Sequence, residues 1–387
     1  MKKTVLIIVC VIVYLLTTTV SYLFFSRSLP TLSGPSQSQK RATNDYDAIV
    51  FDINAKKSEE CPVTGALYSK DQKEWWESHR PLGVMIENHL DARPQSGLSL
   101  ADTVYEAVAE GGITRFLAVF YCQDAGIVGP VRSARTYFLD YISEYGEYPL
   151  YAHVGGANTP GPADALGQIS EYDWNQYNDL NQFSIGFPTF KRDESRLGRQ
   201  VATEHTMYSV TNKLWDFAAT KRGLTEKDKS GNNWEDQFVS YSFKDDAPVA
   251  ARPEVQAITI DFWNNPTYGV EWVYQKLDNT YLRKNGGVAH MDRNTKKQIA
   301  AKNVVVLFMK ESAANDGYQN NAHQLYATTG SGDALFFMDG KEIEGTWKKS
   351  NREARTLLFD STGKEITLNR GTTWFEIQPL DGEVTAK

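Results

Sequence analysis

The architecture of this chain follows from residues 80–135, which read RPLGVMIENHLDARPQSGLSLADTVYEAVAEGGITRFLAVFYCQDAGIVGPVRSAR. Two apolar runs in this stretch, residues 82–87 and 115–122, have the composition of buried strands. Ser99 and the pair Gly111-Gly112 are typical of a helix start and a helix end, so residues 100–110 are predicted to be helical. The polar residues collect in the turns, where a buried scaffold commonly carries a binding site.

The sequence pattern changes between the two halves of the chain. Strands and helices alternate as far as residue 156, whereas residues 238–387 contain short runs rich in β-branched and aromatic residues, separated by turns such as Asp339-Gly340. An α+β fold is predicted, with an N-terminal α/β lobe and a C-terminal antiparallel β-rich lobe. The expected segments are a membrane anchor over residues 1–25, a flexible tether over 26–60, the α/β lobe over 61–225, a linker over 226–237 and the β-rich lobe over 238–387.

Composition excludes one class of partner. The chain has 387 residues, of which 41% are hydrophobic, and this is ample for packed cores. Its formal net charge is -7 and it has no long basic run, whereas binding to nucleic acid needs a concentrated cationic face. Nucleic acid is therefore not an expected partner.

The N-terminus predicts a membrane location. Lys2 and Lys3 precede an uncharged apolar run over residues 4–25, which as a helix is long enough to cross a hydrocarbon core of about 30 Å. The lysines favour a cytoplasmic N-terminus and an extracytoplasmic remainder. A cleaved signal peptide would end in small residues, and a lipoprotein would carry a Cys after the apolar core, whereas Cys10 lies within it. A single-pass, uncleaved anchor in the cell membrane is therefore predicted.

Two cysteines remain in the exported part of the chain, Cys61 and Cys122. An oxidising compartment tends to pair such thiols, and a bond from Cys61 would pin the N-terminal extension to the folded domain. A disulfide between them is the prediction, and two separate buried cysteines are the alternative.

Four arginines on predicted turns are the main indication of a binding function. Guanidinium groups match carboxylates and phosphates with two parallel hydrogen bonds. The predicted ligand is therefore an anionic envelope component, such as a cell-wall peptide, a glycan or a phosphate polymer. The predicted ligand-binding residues are Asn88, His89, Arg93, Arg115, Arg132, Ser133 and Arg135. The alternative is internal pairing of the arginines with Glu87, Asp102, Glu106 and Glu110.

Catalysis is a second hypothesis, and the sequence leaves open whether the protein is an enzyme. Glu87 and Glu110 would flank a glycosidic bond in a cell-wall hydrolase or transferase, with Trp174 and Tyr177 as stacking platforms. Ser133 with His153 as its base is a nucleophilic alternative. The candidate catalytic residues are Glu87, Glu110 and His153.

Neither a cofactor nor a metal is predicted. His153 and His205 would make a metal site with Asp124 or Glu204, but the chain has no HExxH pattern and no close Cys/His spacing. A third reading makes the protein a scaffold that uses its β-rich lobe to hold other envelope proteins.

Four ordered motifs resemble the signature of a known family. They are PLGVMIENH at residues 81–89, ARPQSGL at 92–98, EGGITR at 110–115 and GPVRSAR at 129–135. Together they resemble the YerB-like family of extracytoplasmic bacterial proteins, which are usually lipoproteins with a two-part domain of unknown function. The resemblance covers most of the chain from Cys61 onward and departs in the anchor. It implies a cell-envelope location and a two-part fold, and it adds no catalytic residue.

Overall fold

The computed structural model describes residues 47–254 and 256–387, together with Thr17, which is helical. The chain divides into two units, Met1–Lys40 and Arg41–Lys387, and the fold given below is that of the second. Nearly all of the predicted membrane anchor and most of the tether lie outside the described residues. Within the described residues, no helix is both long enough and apolar enough to cross a membrane.

The helices of the described part are short. The α-helices are α1 (Lys70–Trp76), α2 (Thr136–Ile142), α3 (Ala165–Glu171), α4 (Gln182–Ile185) and α5 (Thr211–Phe217), and α5 continues into a π-helical turn, Ala218–Arg222. The 3₁₀ turns are Leu90–Ala92, Leu98–Leu100, Thr203–His205, Trp234–Gln237, Val249–Ala251 and Gln319–Asn321.

Strands make up the larger part of the structure. Those of the N-terminal half are β1 (Glu59–Glu60), β2 (Leu67–Tyr68), β3 (Leu82–Glu87), β4 (Thr103–Glu110), β5 (Ile113–Phe120), β6 (Ile127–Val128), β7 (Leu150–His153), β8 (Asp179–Asn181), β9 (Phe190–Arg192) and β10 (Met207–Val210). Those of the C-terminal half are β11 (Phe243–Lys244), β12 (Ala257–Ile260), β13 (Val270–Gln275), β14 (Thr280–Asn285), β15 (Val288–Ala289), β16 (Ala300–Ala301), β17 (Asn303–Met309), β18 (Glu311–Ala313), β19 (Gln324–Tyr326), β20 (Gly330–Met338), β21 (Lys341–Lys349), β22 (Leu357–Asp360), β23 (Leu368–Asn369), β24 (Thr373–Pro379) and β25 (Val384–Ala386).

One ten-stranded sheet runs through both halves, in the order β22-β21-β20-β17-β24-β4-β5-β3-β7-β8. Strand β24 pairs in parallel with β4 on one side and with β17 on the other, so the first and last thirds of the chain meet at the centre of this sheet. A second sheet, β15-β14-β13-β12-β25 with β16 against β14, belongs to the C-terminal half. The structure combines helices with strands that form several sheets, and this confirms the predicted α+β class.

The segment predicted to be a helix over residues 100–110 is a strand, and that prediction is wrong. β4 lies inside the sheet between β5 and β24, and seven of its eight residues are buried. Both of its faces are therefore covered, and it lacks the polar-apolar alternation that marks a half-buried strand. Gly111 and Gly112 have φ of +60° and +79°, and they form the two-residue turn of a hairpin between β4 and β5. Ser99 caps no helix there, since its amide donates to Asp292 Oδ2 at 3.0 Å.

A buried ion pair accompanies the junction of β4 with β24. Glu106 and Glu376 face each other in the register of these two strands, and both are fully buried. Arg283, from β14, pairs with Glu106, and its guanidinium carbon lies 4.9 Å from the ring centre of Trp374. Burial, reinforced by the neighbouring Glu106, raises the pKa of Glu376 well above its ordinary value, and this favours the protonated form of Glu376 beside the Arg283–Glu106 pair.

The segment 226–237, expected to be a linker, carries a residue of the core. Trp234 is 1% exposed and its ring centre lies 4.8 Å from that of Tyr121, which follows β5. Its backbone oxygen also accepts a hydrogen bond from the amide of Glu147 at 3.2 Å. This segment is therefore packed onto the N-terminal half through a buried aromatic side chain.

The predicted disulfide between Cys61 and Cys122 is confirmed. Cys61 and Cys122 are both fully buried, and the bond joins the start of the folded region to the second residue after β5. Asp102 lies beside it and is also fully buried. Its Oδ2 accepts hydrogen bonds from the amides of Tyr121 and Cys122 at 2.7 and 2.8 Å, whereas its Oδ1 has no partner in the described part of the chain.

Replacing both half-cystines, Cys61→Ala with Cys122→Ala, is expected to lower the free energy of unfolding by about 2–4 kcal/mol, because the unfolded chain gains the freedom of an open loop. Urea unfolding of the full chain, followed by tryptophan fluorescence, measures this change. Cys10→Ala is the matched control, since it removes a thiol and keeps the bond. Equal unfolding midpoints for the double variant and the control would contradict the expectation.

Asp102→Asn is expected to stabilise the protein at alkaline pH. Burial raises the pKa of Asp102 to about 7, against the opposing effect of the two amides, so its ionisation costs stability as pH rises from about 4 to 7. The asparagine accepts the same two hydrogen bonds without a charge. We expect a gain of about 1–3 kcal/mol at pH 8 that shrinks towards zero at pH 4. Urea unfolding at the two pH values measures it, and a gain that does not change with pH would contradict this account.

Candidate functional site

Polar side chains converge where β3 ends. Glu87 is the last residue of β3, and Asn88 and His89 lead from it into the 3₁₀ turn Leu90–Ala92. The turn Thr203–His205, which precedes β10, lies against Glu87. We call the group of charged and imidazole side chains at this place the Glu87 cluster, and it consists of Glu87, His89, Asp91, Arg132, Arg199, Glu204 and His205.

Glu87 is the centre of this cluster and is 4% exposed. Its Oε2 lies 3.0 Å from Nδ1 of His205, and its Oε1 lies 3.3 Å from Nε of Arg132. The hydrogen bond to Glu87 is the largest cause of a raised pKa for His205. A carboxylate that holds an imidazole on one side and a guanidinium on the other fixes the position of both groups.

His89 and Asp91 form the exposed side of the cluster. The rings of His89 and His205 are stacked, with centres 4.7 Å apart and planes within 9° of each other. Nδ1 of His89 accepts a hydrogen bond from the amide of Asp91 at 3.1 Å, and the Asp91 carboxylate pairs with Arg199 at 3.1 Å. The side chains of His89, Asp91 and Arg199 are 33%, 50% and 44% exposed, so a ligand can reach them.

An open groove of about 760 Å³ begins at the same turn. Apolar side chains stand at its two sides, Leu90 at 56% and Val288 at 65% exposure. At its floor Asn285 is 1% exposed, and its side-chain oxygen has no hydrogen-bond partner among the described residues. The lining residues are Leu90, Asp91, Arg93, Arg199, Pro266, Thr267, Asn285, Gly286 and Val288.

Comparison with known proteins identifies the two halves that form this groove. Residues 63–225 match the N-terminal domain, and residues 258–375 the C-terminal domain, of the family described as "Protein of unknown function (DUF3048)". This chain belongs to the DUF3048 family. It is 31% identical over 328 residues to "Putative lipoprotein YerB" of Bacillus subtilis (strain 168), a match that covers 84% of this chain and 88% of that protein.

The crystal structure of the Bacillus subtilis YerB protein has a similar fold. The TM-score is 0.67 at 27% sequence identity, and the match covers 85% of this chain and 100% of that chain. The predicted resemblance to the YerB-like family is therefore confirmed. Within the DUF3048 architecture the groove is bounded by both domains, since Leu90 and Arg199 belong to the first and Thr267 and Val288 to the second.

Asn88 and Arg93, two predicted ligand-binding residues, join the two DUF3048 domains. Asn88 is fully buried, and its side-chain oxygen accepts hydrogen bonds from Gln95 at 3.0 Å and from Asn285 at 2.7 Å. The Arg93 guanidinium donates to the carbonyl of Asn88 at 3.0 Å and to that of Thr267 at 3.0 Å. Burial, and then the charge of Arg283, lower the pKa of Arg93 to about 10. Arg93 lines the groove, and Asn88 lies behind it as the hydrogen-bond partner of Asn285.

Arg115 and Arg135 are both held by Glu110. Arg115 donates to Glu110 Oε1 at 2.8 Å and to the carbonyl of Ser133 at 2.9 Å, and Arg135 pairs with Glu110 Oε2. The two arginines are buried, whereas the carboxylate is 22% exposed. Burial opposes ionisation of Glu110, but the two guanidinium groups outweigh it and lower its pKa to about 2. This arrangement is the internal pairing that the sequence left open as an alternative.

The structure does not join Ser133 and His153 as the nucleophile and base that the sequence suggests. His153 is fully buried, with Nε2 at 2.5 Å from Asp179 Oδ1 and Nδ1 at 2.6 Å from the carbonyl oxygen of Gly155. Both ring nitrogens are thus engaged, and within the described residues no hydrogen bond joins His153 to Ser133. The Glu87 cluster contains neither of these two residues.

The structure also separates the other residues considered for chemistry. Trp174 is 4% exposed and its ring lies under the guanidinium of Arg352, 5.5 Å away. Asp124 accepts hydrogen bonds from the amide of Ile49 at 2.7 Å and from the side chain of Thr211. Neither side chain is part of the Glu87 cluster or of the groove.

Three residues of the site carried no signal in the sequence. Asp91, Arg199 and Asn285 lie in unremarkable turns or at a strand end, and Asn285 is 197 residues from its partner Asn88. The sequence suggests His205 only as a metal ligand together with His153. In the structure His153 pairs with Asp179, whereas His205 pairs with Glu87. The pattern Asn285-Gly286-Gly287 predicts a turn, but nothing local shows which part of the chain that turn approaches.

Glu110→Gln is expected to lower the free energy of unfolding by about 3–5 kcal/mol at pH 7, because Arg115 and Arg135 lose their counter-charge while buried. The pKa of Glu110 is lowered, so its stabilisation is present above about pH 4.5 and is lost as pH falls through about 2. The difference between wild type and variant should therefore be smaller at pH 3 than at pH 7. Urea unfolding measures it, with the exposed Glu342→Gln on β21 as the matched control, and equal effects of the two substitutions would contradict it.

Proposed function

We propose that this DUF3048 protein is an extracytoplasmic recognition protein that binds an anionic component of the cell envelope at the Glu87 cluster and the adjoining groove. The ligand class is a cell-wall peptide, a glycan or a phosphate polymer. Arg132 is the group that receives the anionic part of the ligand, and the groove takes the rest of it.

The envelope location has three supports. The apolar run over residues 4–25 after Lys2 and Lys3 is long enough to anchor the chain in a membrane with its remainder outside the cell. The relative YerB carries the name of a lipoprotein, which is a membrane-attached class of protein. The Cys61–Cys122 bond fits an oxidising compartment.

The proposal rests on the exposure of Arg132 and on its long contacts. Of the four arginines predicted to bind a ligand, Arg115 and Arg135 are committed to Glu110, and Arg93 donates to backbone carbonyls. Arg132 is 23% exposed, and its contacts to Glu87 and to the carbonyl of Glu204 are long, at 3.3 and 3.4 Å. Its Nε is buried beside Glu87, so the donors that a ligand can reach are those of the two terminal nitrogens, for which the long contact to Glu204 is the one described. This guanidinium therefore has donors left for a carboxylate or a phosphate.

The groove supports a ligand that is larger than an ion. Its exposed apolar side chains, Leu90 and Val288, fit aliphatic or sugar-ring surface. Arg199 stands at its edge with a side chain that is 44% exposed. Peptides and glycans that bear carboxylates offer this combination of groups.

Arg132→Ala is expected to weaken ligand binding by about tenfold to a hundredfold, as for loss of a hydrogen-bonded charged group. The measurement is the affinity of the full chain for soluble cell-wall peptide fragments, for neutral glycan fragments and for a phosphate polymer, each at two salt concentrations. Binding should weaken at higher salt, since the contact is partly exposed. Lys341→Ala, an exposed charge on β21, is the matched control for loss of one positive charge.

Equal affinities of wild type and Arg132→Ala, with normal folding, would contradict the assignment of Arg132. Binding of the neutral glycan alone would contradict the anionic class. Mass spectrometry of the recovered fragments gives a separate readout, because chemically altered fragments would identify an enzyme in place of a recognition protein.

A further inference from the structure

We propose that His89, Asp91 and His205 form a binding site for one transition-metal ion of the Zn²⁺ type. One donor atom from each of these three residues lies within 4.8 Å of the other two. The donor atoms of a tetrahedral zinc site stand about 3.3 Å apart, given bond lengths of about 2.0–2.2 Å. The three side chains are therefore one small movement away from common ligation.

The choice of metal follows from the donors. Two imidazole nitrogens and one carboxylate oxygen are the ligand set of many zinc sites, and imidazole also suits the neighbouring first-row ions. Mg²⁺ and Ca²⁺ prefer sites built from oxygen ligands alone, so they fit less well. Three protein ligands leave a fourth position for water or for a group of a bound molecule.

Glu87 supplies the support that a ligating histidine needs. Its Oε2 lies 3.0 Å from Nδ1 of His205, so a proton on Nδ1 is held by the carboxylate and Nε2 is free to act as a metal ligand. Glu87 is 4% exposed, and its other oxygen is 3.3 Å from Nε of Arg132. A buried carboxylate behind the imidazole fixes the ring and raises its basicity as a ligand.

His89 and Asp91 are the two ligands whose side chains must move for the ion to bind. The rings of His89 and His205 are stacked with planes within 9°, and nitrogen lone pairs that lie in parallel planes cannot point at one ion. His89 must turn about its Cβ–Cγ bond, and its side chain is 33% exposed, which gives it room. Asp91 Oδ2 already lies 3.8 Å from Nδ1 of His89, and its side chain is 50% exposed. His205 is the fixed ligand, and the other two close on the ion.

The local charge does not oppose a cation. Three carboxylates of the Glu87 cluster, from Glu87, Asp91 and Glu204, stand against two guanidinium groups, from Arg132 and Arg199. Glu204 is on the surface, so its charge adds a negative field at the entrance. This count leaves one net negative charge, so a cation is not repelled, and a bound divalent ion would leave one net positive charge, which is compatible with an anionic ligand at Arg132.

Other histidine-carboxylate pairs of the described chain lack these features. His153 pairs with Asp179, but it is fully buried with both ring nitrogens engaged. His323 pairs with Asp316 at 2.7 Å and stacks on Tyr318, with no second histidine beside it. The pair His323–Asp316 is thus the natural control for nonspecific metal binding.

The test is a titration of the full chain, freed of metal with a chelator, with Zn²⁺ in a calorimeter, and with Co²⁺ followed by visible absorption. The proposal expects one ion per chain and the intense absorption bands of tetrahedral Co²⁺. His89→Gln is the first variant, because its partly exposed side chain can change without loss of the fold, and it should weaken Zn²⁺ binding about a hundredfold or more. Glu87→Gln should weaken it about tenfold to a hundredfold through His205.

The control is His323→Gln, which should bind Zn²⁺ as wild type does. The proposal is overturned if wild type binds no Zn²⁺ in the micromolar range, if His89→Gln binds it as tightly as wild type, or if His323→Gln loses it equally. The probe is the metal alone and Arg132 is left in place. Failure here is therefore distinguishable from failure of the proposed recognition of an anionic ligand.

Discussion

The parallel pairing of β4 with β24 is the constraint on which the structure depends. It places Glu106 opposite Glu376 in a region without water, where two ionised carboxylates would repel each other strongly. Arg283 pairs with Glu106, and the indole nitrogen of Trp272 donates to Glu376 at 2.8 Å. All these groups are buried, so a shift of either domain leaves a charge without its partner. The strands of the two DUF3048 domains are consequently held in one fixed register within a single sheet.

This junction also builds the back of the site. From Glu106 a chain of hydrogen bonds runs through Thr114 to Asn88, and from Arg283 another runs through His290 and Gln95 to the carbonyl of Glu87. The residues that face solvent, His89 and Arg132 among them, rest on this buried layer. A surface backed by a connected, buried hydrogen-bond network keeps its geometry while its outer side chains move.

The sequence predicted the features that local pattern determines and missed those that depend on distant partners. The strand over residues 82–87, the disulfide, the α+β class and the family were predicted correctly. The helix over residues 100–110 was not, because burial on both faces hides the alternation of a strand. The sequence also could not show which arginines have an internal partner. Arg115 and Arg135 pair with Glu110 in the folded chain, and Asp91 pairs with Arg199, which is 108 residues away in the sequence.

The Cys61–Cys122 bond has a mechanical consequence. A pulling force applied to the chain before Cys61 reaches Cys122 through covalent bonds and does not pass along residues 62–121 between them. Those residues include β3, β4 and the Glu87–Asp91 segment, so they carry no load. The force enters instead just beyond β5, near the middle of the ten-stranded sheet, where hydrogen bonds from neighbouring strands share it. The part of the groove formed by Leu90, Asp91 and Arg93 is thereby isolated from tension in the segment that precedes the fold.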